Sequence, residues 1–180
     1  MKQGNQKKLI FDASSLIASA QFGVASQLII QYILSYAEVV IPEEVKNEAV
    51  DQGLSAGYTD AQALDGLVKG GAIRVEAAQQ ADPTFEQVVD AYGIENGDEE
   101  VLRLCRQTPD YDYVIVDDRL LYLIIHRFGM RPLFLPDLIV MMAREGAVSE
   151  TQAEQMLDAI KSRYRAGFIE HAVQVLKGAL

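Results

Sequence analysis

Residues 9–17 read Leu-Ile-Phe-Asp-Ala-Ser-Ser-Leu-Ile, an apolar run that stops abruptly at Asp12. A second run, Tyr-Val-Ile-Val at 113–116, stops in the same way at Asp117 and Asp118. Short apolar runs of this kind are typical of buried strands in parallel sheets. Open α/β sheets bind their ligands beyond the carboxyl ends of the strands. The two runs therefore predict an α/β fold with functional carboxylates at strand ends.

Strands and helices alternate along the rest of the chain, which predicts a parallel sheet covered by helices on both faces. We expect strands at 8–11, 39–41, 73–75, 113–116 and 132–135. We expect helices at 14–21, 24–36, 42–53, 60–69, 83–92, 98–107, 119–128, 136–144, 149–165 and 168–176. Because no linker or repeat divides the chain, we expect one domain over residues 1–180. Its first seven residues are expected to be flexible, and residues 149–180 to form a C-terminal helical extension packed on the domain.

The charge distribution limits the function classes. The 180 residues carry a formal net charge of −10, which argues against a sequence-independent coat on nucleic acid. Residues 38–100 hold fifteen acidic and three basic side chains, whereas residues 101–180 hold ten of each. The C-terminal part could therefore still bind a polyanion, and Arg103, Arg119 and Arg127 are the candidate contacts.

The single cysteine and the short apolar runs indicate a cellular compartment. One cysteine cannot form an internal disulfide or a thiolate metal site, so Cys105 is expected to be a small buried helix residue. No apolar run reaches the length of a membrane span. These features predict a soluble cytoplasmic protein that does not contact membranes.

Four carboxylates are the candidate site. Asp12 at the first strand end can bind a ligand or cap the next helix, although Ser14 and Ser15 are also available as caps. Glu48 lies beside apolar positions on its helix, and Asp98 precedes apolar residues by three and four positions, which favours an inward direction for both.

Asp117 and Asp118 end the strand at 113–116, and alternation along a strand sends neighbouring side chains to opposite faces. We expect Asp117 to be the ligand, with Asp118 as a helix cap or a supporting acceptor. Carboxylates without histidine or cysteine companions suit Mg²⁺ or Mn²⁺ better than zinc. An all-acid site of this kind is typical of phosphodiester hydrolysis with one or two metal ions.

Four segments, in this order, resemble the PIN-domain nucleases. They are Phe-Asp-Ala-Ser-Ser-Leu-Ile at 11–17, Val-Val-Ile-Pro-Glu-Glu-Val-Lys-Asn-Glu at 39–48, Asn-Gly-Asp-Glu-Glu-Val-Leu-Arg-Leu-Cys at 96–105, and Val-Ile-Val-Asp-Asp-Arg at 114–119. The resemblance is to the small prokaryotic branch related to VapC-like toxin ribonucleases of toxin–antitoxin pairs. It covers nearly the whole chain, and the order of the motifs is more specific than any one of them.

The resemblance implies a three-layer α/β/α sandwich and Mg²⁺- or Mn²⁺-dependent cleavage of single-stranded RNA. It places Asp12, Glu48, Asp98 and Asp117 in the metal-binding cluster. Ser14 matches the family's small hydroxyl residue beside the first aspartate. The branch commonly has glutamate where this chain has Asp98, so Glu100 is an alternative third acid. The resemblance also implies a homodimer and an antitoxin-like protein partner.

Two other function classes compete with the nuclease. A PIN-like binding protein without turnover, acting through a protein partner, would account for the acidic middle third and the shortened side chain at Asp98. Phosphotransfer through an aspartyl phosphate on Asp12 is a third class. Phosphatases of that kind usually have a second acid two residues later, where this chain has Ser14.

Overall fold

The computed structural model describes residues 6–180, which form seven strands, eleven α-helices and one π-helical segment. The strands are β1 (Lys7–Phe11), β2 (Gly23–Val24), β3 (Gln27–Leu28), β4 (Ala37–Pro42), β5 (Ile73–Glu76), β6 (Tyr113–Ile115) and β7 (Pro132–Leu133). The helices are α1 (Ala13–Gln21), α2 (Ile29–Tyr36), α3 (Glu43–Lys46), α4 (Gly53–Ser55), α5 (Thr59–Lys69), α6 (Pro83–Tyr92), α7 (Asn96–Gln107), α8 (Arg119–Arg127), α9 (Leu135–Arg144), α10 (Glu150–Ile160) and α11 (Ala166–Leu176). A π-helical segment, Asn47–Gln52, joins α3 to α4.

Five of the strands form one parallel sheet in the order β5-β4-β1-β6-β7. Leu9, Ile10 and Phe11 of the central strand β1 are all fully buried. Because successive side chains of a strand point to opposite faces, helices must cover both faces of this sheet. The α/β fold with a central parallel sheet is confirmed.

The order of the strands reverses at β1. The chain passes from β1 to β4 and β5 on one side, then returns to β6 and β7 on the other side. Such a switch point opens a crevice at the carboxyl ends of the strands between which the direction changes. The crevice here lies beyond the ends of β1 and β6, where Asp12, Asp117 and Asp118 follow.

A small antiparallel hairpin, β2 and β3, replaces the first part of the helix that the sequence predicted at 24–36. That prediction is wrong for residues 24–28, because α2 begins only at Ile29. Ala25 and Ser26 turn the chain with φ values of +50° and +65°. The Ile29 N–H donates to the Phe22 carbonyl oxygen at 3.0 Å. This hydrogen bond joins the residues on either side of the hairpin.

The C-terminal helices α10 and α11 pack on α9 and on each other. Ser149 and Gln152 form the expected capping box at the start of α10. This helix ends at Ile160 and not at Arg165 as predicted, and α11 begins at Ala166 directly after Arg165. The turn between them carries Arg163 and Tyr164 to the carboxyl edge of the sheet.

Two expectations concern particular residues. Of the segment expected to be flexible, Lys7 is the first residue of β1, and residues 1–5 lie outside the described residues. Cys105 is buried in α7, and burial raises the pKa of its thiol. None of the helices described in residues 6–180 is long and apolar enough to cross a membrane.

Candidate active site

An acidic cleft of about 380 Å³ lies beyond the carboxyl ends of β1 and β6. Its walls come from the start of α1, the π-helical segment, the α6–α7 connection and the start of α8. Its lining residues are Asp12, Ala13, Ser14, Glu48, Gly93, Ile94, Glu95, Asp98, Asp118 and Leu120. Half of these ten side chains are carboxylates, and we call this space the acidic cleft.

Asp12 is the most enclosed acid of the cleft, with 2 % of its surface exposed. It is the N-cap of α1, and its Oδ1 accepts the Ser15 N–H at 2.7 Å and the Ser15 hydroxyl. Its Oδ2 accepts the Asp117 N–H at 2.9 Å. Burial raises the pKa of Asp12 to about 6, although these hydrogen bonds oppose the rise. Asp12 therefore caps the helix and lines the cleft at once.

Glu48 reaches the cleft from the first turn of the π-helical segment. Burial is the largest cause of its raised pKa, and the neighbouring Glu44 and Glu95 add to it. The Gly97 N–H donates to the carboxylate of Glu48 and opposes this rise. A Cβ on Gly97 would lie only 2.6 Å from Glu48 Oε1. The absence of a side chain at Gly97 thus lets the start of α7 approach this carboxylate in its present position.

Asp98 lies in the first turn of α7 and is half-buried. Burial raises its pKa to about 7, and the negative charges of Asp12, Asp118, Glu95 and Glu48 raise it further. Aspartate has a shorter side chain than the glutamate that the resemblance would place here. Asp98 nevertheless lines the cleft and belongs to the acidic cluster.

Asp117 and Asp118 point into different spaces. Asp118 lines the acidic cleft, and its Oδ1 also caps α8 by accepting the Leu121 N–H at 2.8 Å. Asp117 lines a neighbouring pocket, where the Tyr164 hydroxyl donates to its Oδ1 and Arg163 lies 4.0 Å from its Oδ2. Burial raises the pKa of Asp117, whereas Tyr164 and Arg163 oppose the rise. Of the predicted cluster, the cleft therefore contains Asp12, Glu48 and Asp98, while Asp117 meets it only through its backbone N–H.

The residues expected to support the cluster also lie in different surroundings. Ser14 lines the cleft and Ser15 donates to Asp12, so of the three caps that the sequence left open, Asp12 caps α1. Glu100 turns away from the cleft and accepts the Glu44 N–H at 2.8 Å at the start of α3. It is not positioned to replace Asp98.

The three candidate phosphate contacts lie in different surroundings. Arg103 is half-buried and pairs with Glu86 and Glu99 on the α6–α7 surface. Arg119 is exposed and lines the pocket beside Asp117. Arg127 is exposed at the end of α8. Of the three, only Arg119 lines the pocket next to the acidic cleft.

The roles of three residues in this region were missed by the sequence reasoning. Ser15 is signalled by its position three residues after Asp12, the standard distance from an N-cap. Glu95 lines the cleft just before α7, where its acidic character alone gave no sign of function. Tyr164 reaches Asp117 from a position 47 residues later, and no local pattern could indicate that contact.

The donor set of the cleft fits a hard divalent cation. Its charged donors are all carboxylate oxygens, which Mg²⁺ and Mn²⁺ prefer. The pKa values of Glu48 and Asp98 are raised partly by repulsion from neighbouring carboxylates, which a cation would remove. Within residues 6–180, no group of three or more histidine, cysteine, aspartate or glutamate side chains is arranged so that it could hold a metal ion.

Comparison with known proteins identifies the family of this fold. Residues 8–177 match the family model described as "DUF3368: PIN domain". No curated protein matches the chain. One similar solved structure is a domain of a functionally unknown protein from Methanocaldococcus jannaschii, with 21 % identity and a TM-score of 0.44. The similarity covers 72 % of this chain and 91 % of that one.

Proposed function

Because the chain belongs to the PIN domain family, whose members are typically nucleases, we propose that it is a metal-dependent endoribonuclease acting on single-stranded RNA. The observation that carries the proposal is the convergence of Asp12, Glu48, Asp98 and Asp118 on one cleft at the carboxyl edge of the sheet. Hydrolysis of a phosphodiester needs positive charge where the phosphate collects negative charge. Four carboxylates can supply this only by holding a cation.

The proposed ligands of a Mg²⁺ or Mn²⁺ ion are Asp12, Glu48, Asp98 and Asp118. Asp118 replaces Asp117 in this set because its side chain lies in the cleft and that of Asp117 does not. When bound, the cation would neutralise the carboxylates and polarise the scissile phosphodiester.

The chain's own hydrogen bonds prepare Asp12 for this role. Ser15 occupies Oδ1 and the Asp117 N–H occupies Oδ2, so the carboxylate has a fixed plane before any ligand enters. A fixed donor loses little conformational freedom on binding. Asp117 therefore acts through its backbone as a positioning residue for Asp12.

The test is cleavage of single-stranded RNA by the purified protein after chelation and addition of Mn²⁺. Asp12→Asn should abolish cleavage, and Asp110→Asn should cleave like the wild type. Asp110 is a matched control because it is a surface aspartate paired with Lys8 at the amino edge of the sheet. Equal cleavage by wild type and Asp12→Asn would show that the activity is a contaminant and would remove the proposal.

A second pair of variants tests the choice between the two adjacent aspartates. Asn is also a good N-cap, so Asp118→Asn preserves the cap of α8 while removing the charge. We expect Asp118→Asn to lose at least about 100-fold in cleavage rate, the loss typical of a removed electrostatic contact. Asp117→Asn should lose less, since the backbone N–H remains. The reverse order would return Asp117 to the ligand set.

The toxin role is the finer form of this proposal and rests on the sequence resemblance. Induced expression of the wild type should arrest growth of a bacterial host, and Asp12→Asn should not. A small protein encoded beside the gene should relieve the arrest if it is an antitoxin-like partner. Light scattering by the purified wild-type protein would show whether it is a homodimer. Growth arrest by both proteins would separate the effect from RNA cleavage and favour the PIN-like binding protein.

A further inference from the structure

A second pocket, rich in arginine and aromatic side chains, lies directly beside the acidic cleft. It has a volume of about 260 Å³, and Asp117 is its single carboxylate. Its other lining residues are three arginines and three aromatic side chains: Arg119, Arg163, Arg165, Phe134, Tyr164 and Phe168. We call it the arginine–aromatic pocket.

The positive charge of this pocket is mostly unmatched. The ion pairs formed within residues 6–180 include neither Arg119 nor Arg165, and Arg163 lies 4.0 Å from Asp117. Arg165 also immediately precedes α11, whose first turn holds no acidic residue. A helix N-terminus carries partial positive charge of its own, so the arginine and the helix start would both attract an external anion.

The aromatic side chains present a surface for a flat ligand. Phe134 is held from one side by Tyr122, with ring centroids 4.5 Å apart and planes 7° from parallel. Phe168 meets Phe134 edge-on at 5.2 Å, and 41 % of its surface is exposed. Nucleobases stack on exposed aromatic rings with little regard to sequence. Unpaired arginines beside such a ring suit a ligand with both a phosphate and a base.

The pocket and the acidic cleft share a wall. Asp117 lines the pocket, and the next residue, Asp118, lines the cleft. Arg163 Nη2 lies 3.5 Å from the carbonyl oxygen of Ser14, another residue of the cleft. A phosphate held by Arg163 would therefore be a close neighbour of a group bound in the cleft.

We propose that the arginine–aromatic pocket binds one nucleotide of a single-stranded RNA while a neighbouring phosphodiester lies in the acidic cleft. Arg119, Arg163 and Arg165 hold the phosphate, and the base stacks on Phe168. The identity of the polymer rests on the proposed nuclease function. The pocket adds a binding subsite, formed largely by the turn between α10 and α11.

Binding without cleavage gives the first test. A fluorescein-labelled single-stranded oligoribonucleotide is titrated in EDTA, and anisotropy is followed at several salt concentrations. Arg165→Ala should weaken binding and lower the slope of log affinity against log salt by about 0.7, the value for one lost phosphate contact on a single strand. Phe168→Leu should weaken binding about tenfold without changing that slope. Phe168→Tyr keeps the ring and should bind like the wild type.

The charge control is Lys69→Ala. Lys69 is a surface residue of α5 that pairs with Asp65, so the variant removes one positive charge away from the pocket. It should leave both the affinity and the salt slope close to those of the wild type. If Lys69→Ala and Arg165→Ala reduce binding equally, the pocket is not a specific phosphate site and the inference fails.

Oligonucleotides with one abasic position locate the stacked base. In the wild type, loss of the base at one position should weaken binding about tenfold, and in Phe168→Leu the same loss should have no further effect. Additive losses at every position would place the stacking elsewhere and overturn the inference. Binding of adenosine monophosphate as tightly as the oligonucleotide would also overturn it, because the pocket would then serve free nucleotides.

The two proposals can fail separately. If the wild type cleaves RNA but all pocket variants bind and cleave alike, the subsite is wrong and the nuclease remains. If the binding pattern is as expected but no metal supports cleavage, the nuclease is wrong and the nucleotide subsite remains. If the wild type neither binds nor cleaves RNA, both are wrong.

Discussion

Asp98 illustrates at the scale of one residue how the acidic cleft costs stability. An ordinary aspartate has a pKa of 3.8, whereas burial and the nearby carboxylates raise that of Asp98 to about 7. Between these pH values the folded protein binds more protons than the unfolded chain. The stabilising effect of the proton is present at low pH and is lost as the pH rises towards 7.

Asp98→Asn should therefore be more stable than the wild type at pH 8, by about 2–4 °C in melting temperature after allowance for solvent screening at this half-buried site. The gain should shrink as the pH falls and be small near pH 4, where the folded carboxylate is protonated and the unfolded one is about half ionised. Thermal melts without divalent metal, at pH 4, 6 and 8, would measure it. Asp110→Asn is the control, and a gain that is larger at acidic pH would contradict the expectation.

Gly97 gives a second prediction at this scale. In Gly97→Ala the new Cβ would lie 2.6 Å from Glu48 Oε1 and would displace that carboxylate. Alanine is favoured over glycine in helices by about 1 kcal/mol, so the fold should be affected little. We expect at least about a tenfold loss in Mn²⁺ affinity and cleavage, the size of effect seen when a supporting group of a metal site is lost.

The matched control is Gly66→Ala in α5, where an added Cβ meets open space. It should stabilise the protein and leave metal binding unchanged. Combining Gly97→Ala with Glu48→Asp shortens the displaced side chain and should restore part of the Mn²⁺ affinity. If Gly97→Ala binds Mn²⁺ like the wild type, Glu48 is not a ligand whose position matters.

At the scale of elements, the hairpin β2–β3 allows two substitutions with opposite expected signs. A Cβ on Gly23 would lie 2.5 Å from the carbonyl oxygen of Gln27, a backbone atom that cannot move away freely. Gly23→Ala should therefore lower the free energy of unfolding by about 1–3 kcal/mol. Ser26 has a φ of +65°, so Ser26→Gly should raise it by up to about 1 kcal/mol. Urea unfolding measures both, and the same sign for the two would contradict the hairpin geometry.

The elements also show what could be predicted from the sequence. β1, β4 and β6 were predicted within a few residues because continuous apolar runs indicate buried parallel strands. The hairpin was missed because Leu28, Ile29, Tyr32 and Ile33 have helical spacing, and the left-handed turn at Ala25 and Ser26 has none of the glycine or asparagine that usually marks it.

The directions of the Asp117 and Asp118 side chains were harder to predict, for a different reason. Alternation predicts side-chain direction only while the chain remains in a strand, and β6 ends at Ile115. Asp117 and Asp118 lie beyond it, where direction is set by the start of α8 and by Tyr164. The strand-end carboxylates were thus predictable as a group, but their division between two pockets depends on a contact distant in sequence.

At the scale of the whole molecule, five carboxylates line one cleft, so cation binding there should stabilise the fold. A ligand present at about 100 times its Kd and bound only by the folded state raises the free energy of unfolding by about 2.7 kcal/mol. For a chain of this size that corresponds to about 5–10 °C in melting temperature. Mn²⁺ should produce this shift in the wild type and a smaller one in Asp12→Asn.

The control for this prediction is NaCl at matched ionic strength. A chain with a net charge of −10 is stabilised to some degree by any salt, because salt screens repulsion between surface charges. Only site binding should saturate at low Mn²⁺ concentration and depend on Asp12. Equal shifts with NaCl and Mn²⁺ would mean that the cleft holds no specific cation.

The π-helical segment Asn47–Gln52 has a consequence for how this chain is aligned with its relatives. In an α-helix each residue turns the chain by about 100°, so a wider turn is equivalent to one inserted residue. Deleting one residue after Glu48 would close the wide turn to an α-helical one, so that buried positions on both sides of it, such as Val45 and Gly53, keep their direction. In a relative that lacks this inserted residue, the sequence distance from the glutamate that matches Glu48 to the residues after the segment would be one residue shorter. Alignments of this family should therefore permit a single-residue gap between Glu48 and Gly53, since an ungapped comparison would pair core positions with surface positions there.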